Sequence, residues 1–99
     1  MTAPLVLPAE ITIYVMTDLR AAWMAWLDGL SDAGTDLCAD GSAVAELDAA
    51  GLQGLLALSR SVAARGRRLH LQPASDTLAQ GCRRLGLAHL LAPLEGVPA

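Results

Sequence analysis

The segment Val44-Ala45-Glu46-Leu47-Asp48-Ala49-Ala50-Gly51-Leu52-Gln53-Gly54-Leu55-Leu56 decides how this chain folds. A short apolar lead-in reaches Asp48, two small residues and Gly51 follow, and a strongly amphipathic helix begins. Asp48 suits the N-cap of that helix, because its carboxylate can accept from backbone N–H groups one turn in. Ala49, Ala50 and Gly51 carry almost no side chain. They are expected to leave the positive end of the helix uncovered, so that another molecule can approach its backbone closely.

Downstream, the helix runs to about Arg65 with Leu52, Leu55, Leu56, Ser59, Val62 and Ala63 on one face, and Gly66 terminates it. Arg68-Leu69-His70-Leu71 then reads as a strand that Pro73 ends. Ser75 caps a third helix that carries Leu78, Cys82 and Leu85 inward and closes at Gly86. Leu87–Leu91 packs as a final helical turn, and residues 92–99 form a tail rich in Pro and Gly.

Upstream, Leu5-Val6-Leu7 lies between prolines, which places it at a sheet edge. Ile11-Thr12-Ile13-Tyr14-Val15 is β-branched and alternating, the pattern of a half-buried strand. Thr17 caps a helix to about Leu30 whose positions Leu19, Ala22, Trp23, Trp26, Leu27 and Leu30 follow helical spacing. Gly34 and Asp36 mark the turn out, Leu37-Cys38-Ala39 is a short buried strand, and Asp40–Ser42 is a loop. The order β-β-α-β-α-β-α predicts an α/β fold, a four- to five-stranded mixed sheet with helices packed against it. One domain spans residues 1–99, with its core at about 5–91.

Composition narrows the classes of function. The chain has 99 residues, 54% hydrophobic and 17% charged, which is too apolar for disorder and enough for one core. Its net charge of −3 argues against a nucleic-acid footprint. Arginines do cluster at Arg65, Arg67, Arg68 and at Arg83, Arg84. Helix C-termini favour such cations through the dipole, and a patch for an acidic partner is the other use of them. Cys38 and Cys82 lack metal-ligand spacing and read as buried free thiols of a reducing compartment. Neither a secretory signal nor an apolar run of membrane-spanning length is evident, so a soluble cytoplasmic protein without direct membrane insertion is expected.

Catalytic patterns are missing. His70 and His89 have no acid or nucleophile motif beside them and read as structural residues. Gly51-Leu52-Gln53-Gly54 lacks the Lys-Ser/Thr of a phosphate-binding loop. Glu46 and Asp48 read as a solvated edge and a helix cap rather than an acid/base couple. The expectation is a protein that is not an enzyme and takes no cofactor and no metal.

Taken together, Asp48-Ala49-Ala50-Gly51-Leu52 resembles the Asp-Ser-(Ser/Ala)-Gly-Leu segment of STAS domains, the family of bacterial anti-sigma factor antagonists. Asp40-Gly41-Ser42-Ala43-Val44 is similar to the family's Asp-Leu-Ser-x-Val. Ala64-Arg65-Gly66-Arg67-Arg68-Leu69 is similar to its Ala-x-x-Gly-x-x-Leu, and Leu85-Gly86-Leu87 to its Leu-Gly-Leu turn. The resemblance covers residues of about 5–91. It implies a protein-interaction module of signal transduction and transcription regulation, binding an ATPase-like partner such as an anti-sigma factor kinase. In the regulated members a Ser straight after the Asp is phosphorylated; Ala49 stands there and cannot be. Ser42 is the nearest other hydroxyl, at a position that does not match.

The partner-binding residues so implied are Asp40, Ser42, Asp48, Ala49, Ala50, Gly51 and Gly54. Small stand-alone members also bind the ABC-type ATPase of phospholipid transport systems, others serve chemotaxis, and a homodimer is a further use of the scaffold. Ala50, Gly54, Ala57, Ser61 and Ala64 form a smooth strip away from the Leu-rich face, suited to another protein or simply to helix propensity.

Overall fold

The computed structural model describes residues 5–30 and 36–92. Gly34 and tail residues 93–99 lie outside them. Five strands and three α-helices follow in the order β1 (Leu5–Val6), β2 (Glu10–Ile11), α1 (Met16–Asp28), β3 (Asp36–Gly41), β4 (Glu46–Leu47), α2 (Ala49–Ala64), β5 (Arg68–Ala74) and α3 (Asp76–Arg84). A 3₁₀ turn, Ala88–Leu91, closes the described chain.

The fold is α/β, and every strand pairing among the described residues is parallel rather than mixed: β1-β3-β5 in one ladder, β2-β4 in another. The two ladders are one bent pair. Leu5 and Val6 face Ala39 and Asp40, an offset of 34 residues, while Glu10 and Ile11 face Glu46 and Leu47, an offset of 36. Two surplus residues therefore leave the ladder between β3 and β4. The amides of Ala45 and Glu46 both donate to the Ala9 carbonyl and restart the pairing.

Pro73 lies inside β5 instead of ending it. Because β5 is the outer strand of its ladder, the missing N–H leaves no neighbour unsatisfied. The register shifts by one residue between Ala39 and Gly41 on β3, which accommodates the extra residue on β5.

Along β3, Leu37, Ala39 and Gly41 are buried and the residues between them half-buried, as period-2 alternation requires. These apolar groups meet Leu69 and Leu71 of β5, Trp23 and Leu27 of α1, Leu55, Leu58 and Val62 of α2, and Leu78 and Cys82 of α3. Both long-range ends of the core are sealed by local chemistry. Gly66 and Gly86 follow α2 and α3 with φ of +74° and +72°. After each, the next amide reaches back to the helix, Arg67 N to Val62 O and Leu87 N to Cys82 O, the double turn that satisfies the last carbonyls.

Several further expectations change. The strand foreseen over Ile11–Val15 stops at Ile11; Thr12–Val15 is a turn in which the Val15 amide donates to the Thr12 carbonyl. Val15, not Thr17, precedes the first helical residue. Leu85, expected inside, is 45% exposed because it is the C-cap of α3, and Leu87 and Leu90 take the buried places instead. Ala22 and Ala63 are likewise exposed, and Asp40 and Gly41 belong to β3 rather than to a loop.

Candidate functional site

The carboxyl ends of β1, β3 and β5 converge where the chain turns at Leu7, Gly41 and Ala74. The Leu7 amide donates to the Asp40 carbonyl at 2.8 Å, and the Gly41 carbonyl accepts from Ser75 at 3.1 Å and Val44 at 3.3 Å. In parallel sheets this is the end at which loops from different strands gather. The surplus residues Ser42 and Ala43 stand exposed here. Asp40 organises them: its Oδ1 accepts from the Ser42 amide at 2.9 Å and the Ser42 hydroxyl at 2.7 Å. These bonds, the hydroxyl first, hold the Asp40 carboxyl below its usual range.

Past β4 the chain enters α2. Asp48 is its N-cap, with extended backbone, and Oδ1 accepts from the Gly51 amide at 2.7 Å. The second oxygen does something that neighbouring residues do not announce: Oδ2 accepts from the Ile13 amide at 3.0 Å. One carboxylate thus starts α2 and pins the turn after β2. The Ile13 bond and then the Gly51 bond depress the Asp48 pKa.

Ala49 is exposed and Ala50 half-buried, as an accessible helix start requires. Gly51 and Gly54 are not open. A Cβ on Gly51 would lie 2.0 Å from the Ile11 carbonyl oxygen, so that glycine admits the β2 backbone, not a partner. A Cβ on Gly54 would meet the Met16 methyl at 2.1 Å, with Trp23 behind it. The strip of small residues is therefore divided: α1 covers its Gly54, while Ala57 and Ala64 remain exposed.

Ile13 and Tyr14 are what sequence reasoning missed. They stand 63% and 90% exposed on the Thr12–Val15 turn, which the Ile13 amide ties to the Asp48 carboxylate. Local composition pointed the other way, since Ile, Tyr and Val all favour strands. Both side chains thus stand in solvent on a turn that a long-range bond ties to the start of α2.

A family model described as "Mlab, STAS domain" matches residues 2–93. The chain belongs to the STAS domain family. No curated protein and no solved structure matched it. Within this STAS domain, Ala49 occupies the first helical position after the N-cap. Among the described residues, no cluster of His, Cys, Asp or Glu is arranged to hold a metal ion. No helix among them is long and apolar enough to cross a membrane. Of the two histidines, His89 is exposed on the closing turn, and His70 is buried between two strands and that turn.

Proposed function

We propose that this STAS domain is a non-catalytic protein-interaction module. Its docking surface comprises the Asp40–Ala50 segment and the Ile13–Tyr14 turn, and its partner is an ATPase-like protein of bacterial signal transduction or transcription regulation. The observation that carries this reading is the double use of Asp48, which ties the turn bearing the exposed Tyr14 to the start of α2. Tyr is among the residue types enriched at the hot spots of protein interfaces. Without a hydroxyl at Ala49 the surface stays permanently in the form that unphosphorylated members present, and control lies in the partner or in expression.

A second reading keeps the surface and changes the partner to the ABC-type ATPase of a phospholipid transport system. It is favoured by the description of the matching family model, "Mlab, STAS domain", since small stand-alone members resembling this chain fill that role.

Affinity purification of the tagged protein from its own cells, with mass spectrometry of what accompanies it, tests both. A histidine-kinase-like ATPase or a chemotaxis component supports the signalling reading, and an ABC ATPase with permease subunits the transport reading. A partner retained undiminished by Tyr14→Ala would remove this surface from consideration.

A further inference from the structure

His70 of β5 is 8% exposed, and both of its ring nitrogens face oxygen. Nε2 lies 3.1 Å from Asp36 Oδ1 on β3, and Nδ1 lies 3.0 Å from the carbonyl oxygen of Ala92, just past the closing 3₁₀ turn. A backbone carbonyl only accepts. The Asp36 carboxyl, held below its usual range by the His70 bond first, is ionised and also only accepts. A neutral imidazole has one N–H and can satisfy one of these oxygens; an imidazolium has two and satisfies both.

We propose that His70 is a proton-operated latch: its doubly protonated ring clamps the closing turn to the β3–β5 ladder, and loss of one proton releases the turn at Ala92. The carboxylate is the stronger acceptor, so Nε2 keeps its hydrogen and Nδ1 gives its proton to water. The Nδ1 lone pair then confronts the Ala92 carbonyl oxygen, and that contact opens.

The surroundings fit a contact that can open. Asp36 also binds Arg68 Nε at 3.1 Å through the same Oδ1. Among the described residues, the other titratable or charged groups near the ring are Cys38, the register partner of His70 on β3, Arg60 on α2, Arg67 before β5 and His89 on the closing turn. Apart from Asp36 the charged members of this set are basic. On the same face of β5 the Gln72 side chain donates to the Leu91 carbonyl, a neutral anchor that does not titrate. The closing turn is thus held by the buried Leu87 and Leu90, by the Gln72 tie and by the switchable His70 contact at Ala92. Its release widens the concavity between α2, β5 and the turn, which Arg60, His70 and His89 line.

Nitrogen-15 NMR of the full-length protein reads the latch directly. At acid pH both His70 ring nitrogens carry hydrogen. On raising the pH, Nδ1 is the one to lose it, and hydrogen exchange at the Leu90 and Ala92 amides, corrected for intrinsic rate, rises about tenfold over the same interval. His89→Gln leaves that transition in place, and His70→Gln abolishes it. Deprotonation at Nε2 first, or exchange at Leu90 and Ala92 that ignores the His70 titration, overturns the proposal. Both of those readings come from the unmodified chain, so a variant that fails to fold does not shield it.

Discussion

The carboxylate of Asp48 and the amide of Ile13, 35 residues apart in sequence, meet at 3.0 Å. That bond joins the end of one strand pair to the start of a helix, and it makes one residue answer for two pieces of structure. Asp48→Asn keeps a capping oxygen for Gly51 but loses the charged, two-sided acceptor. Its expected outcome is a melting temperature lowered by several degrees and faster amide exchange at Ile13 than elsewhere. Uniform exchange across the chain would mean that the turn does not depend on Asp48.

Acid stability follows from the same carboxylate with Asp36 and Asp40. All three have folded-state pKa values depressed below the ordinary 3.8, by the His70, Ser42 and Ile13 bonds first respectively. A depressed carboxylate contributes stability that is fully present above its unfolded pKa and is lost as pH falls through the folded one. Melting temperatures measured from about pH 5 down to about pH 2 should therefore decline, and Asp48→Asn should flatten the decline. An equal slope in the variant would reassign the acid sensitivity to other groups.

Three glycines should respond differently to Ala. At Gly51 the new Cβ strikes the Ile11 carbonyl, rigid backbone at 2.0 Å, so Gly51→Ala is expected to cost about 3 kcal/mol or more despite better helix propensity. At Gly54 it meets the flexible end of Met16, and the variant should stay within about 1 kcal/mol of wild type. Gly66 has open space but φ of +74°, a strain of about 1–2 kcal/mol for any other residue. Urea unfolding of the three variants gives the order directly.

Ala49→Asp places a negative charge in the exposed first turn of α2, where the helix dipole favours it by about 0.3–1 kcal/mol. The variant is expected to fold at least as stably as wild type while losing the partner. Stability by denaturation and binding by pull-down separate the two effects. Incubation of wild type with a cognate kinase and labelled phosphate should leave residue 49 unlabelled, and label at another defined residue would show control of a different kind.

Cys82 is fully buried and its thiol pKa is raised by burial. Iodoacetamide at pH about 8 should modify it only after unfolding. Cys38 is half-buried, its thiol donating to the Gln72 carbonyl at 3.0 Å, and should be modified in the native state ahead of Cys82. Peptide mapping distinguishes the two.

The parts of the fold governed by neighbours in sequence were legible. Asp48 and Ser75 cap their helices, Ser75 Oγ accepting from Leu78 at 3.1 Å. Gly66 and Gly86 end theirs. What escaped was set by distant residues. Thr12–Val15 looks like a strand, yet Thr12 turns its hydroxyl to Glu10 at 2.6 Å and the Ile13 amide goes to Asp48. Gly51 and Gly54 looked accessible because their neighbours are small; only the arrival of Ile11 and Met16 shows that the smallness serves packing. The candidate site was half legible for the same reason: Asp40, Ser42, Asp48 and Ala49 come from one continuous stretch, and the Ile13–Tyr14 turn is joined to it only by the Ile13–Asp48 bond.

The two residues by which β3–β4 outruns β1–β2 give the domain an adjustable part. Pairing stops at Asp40 and restarts at Glu46 under its own hydrogen bonds to Ala9, so neither half of the ladder sets its phase by the length of the Ser42–Ala43 excursion. That excursion can grow or shrink without any strand sliding past another. It is the place where such a scaffold can acquire a new contact while its core stays as it was.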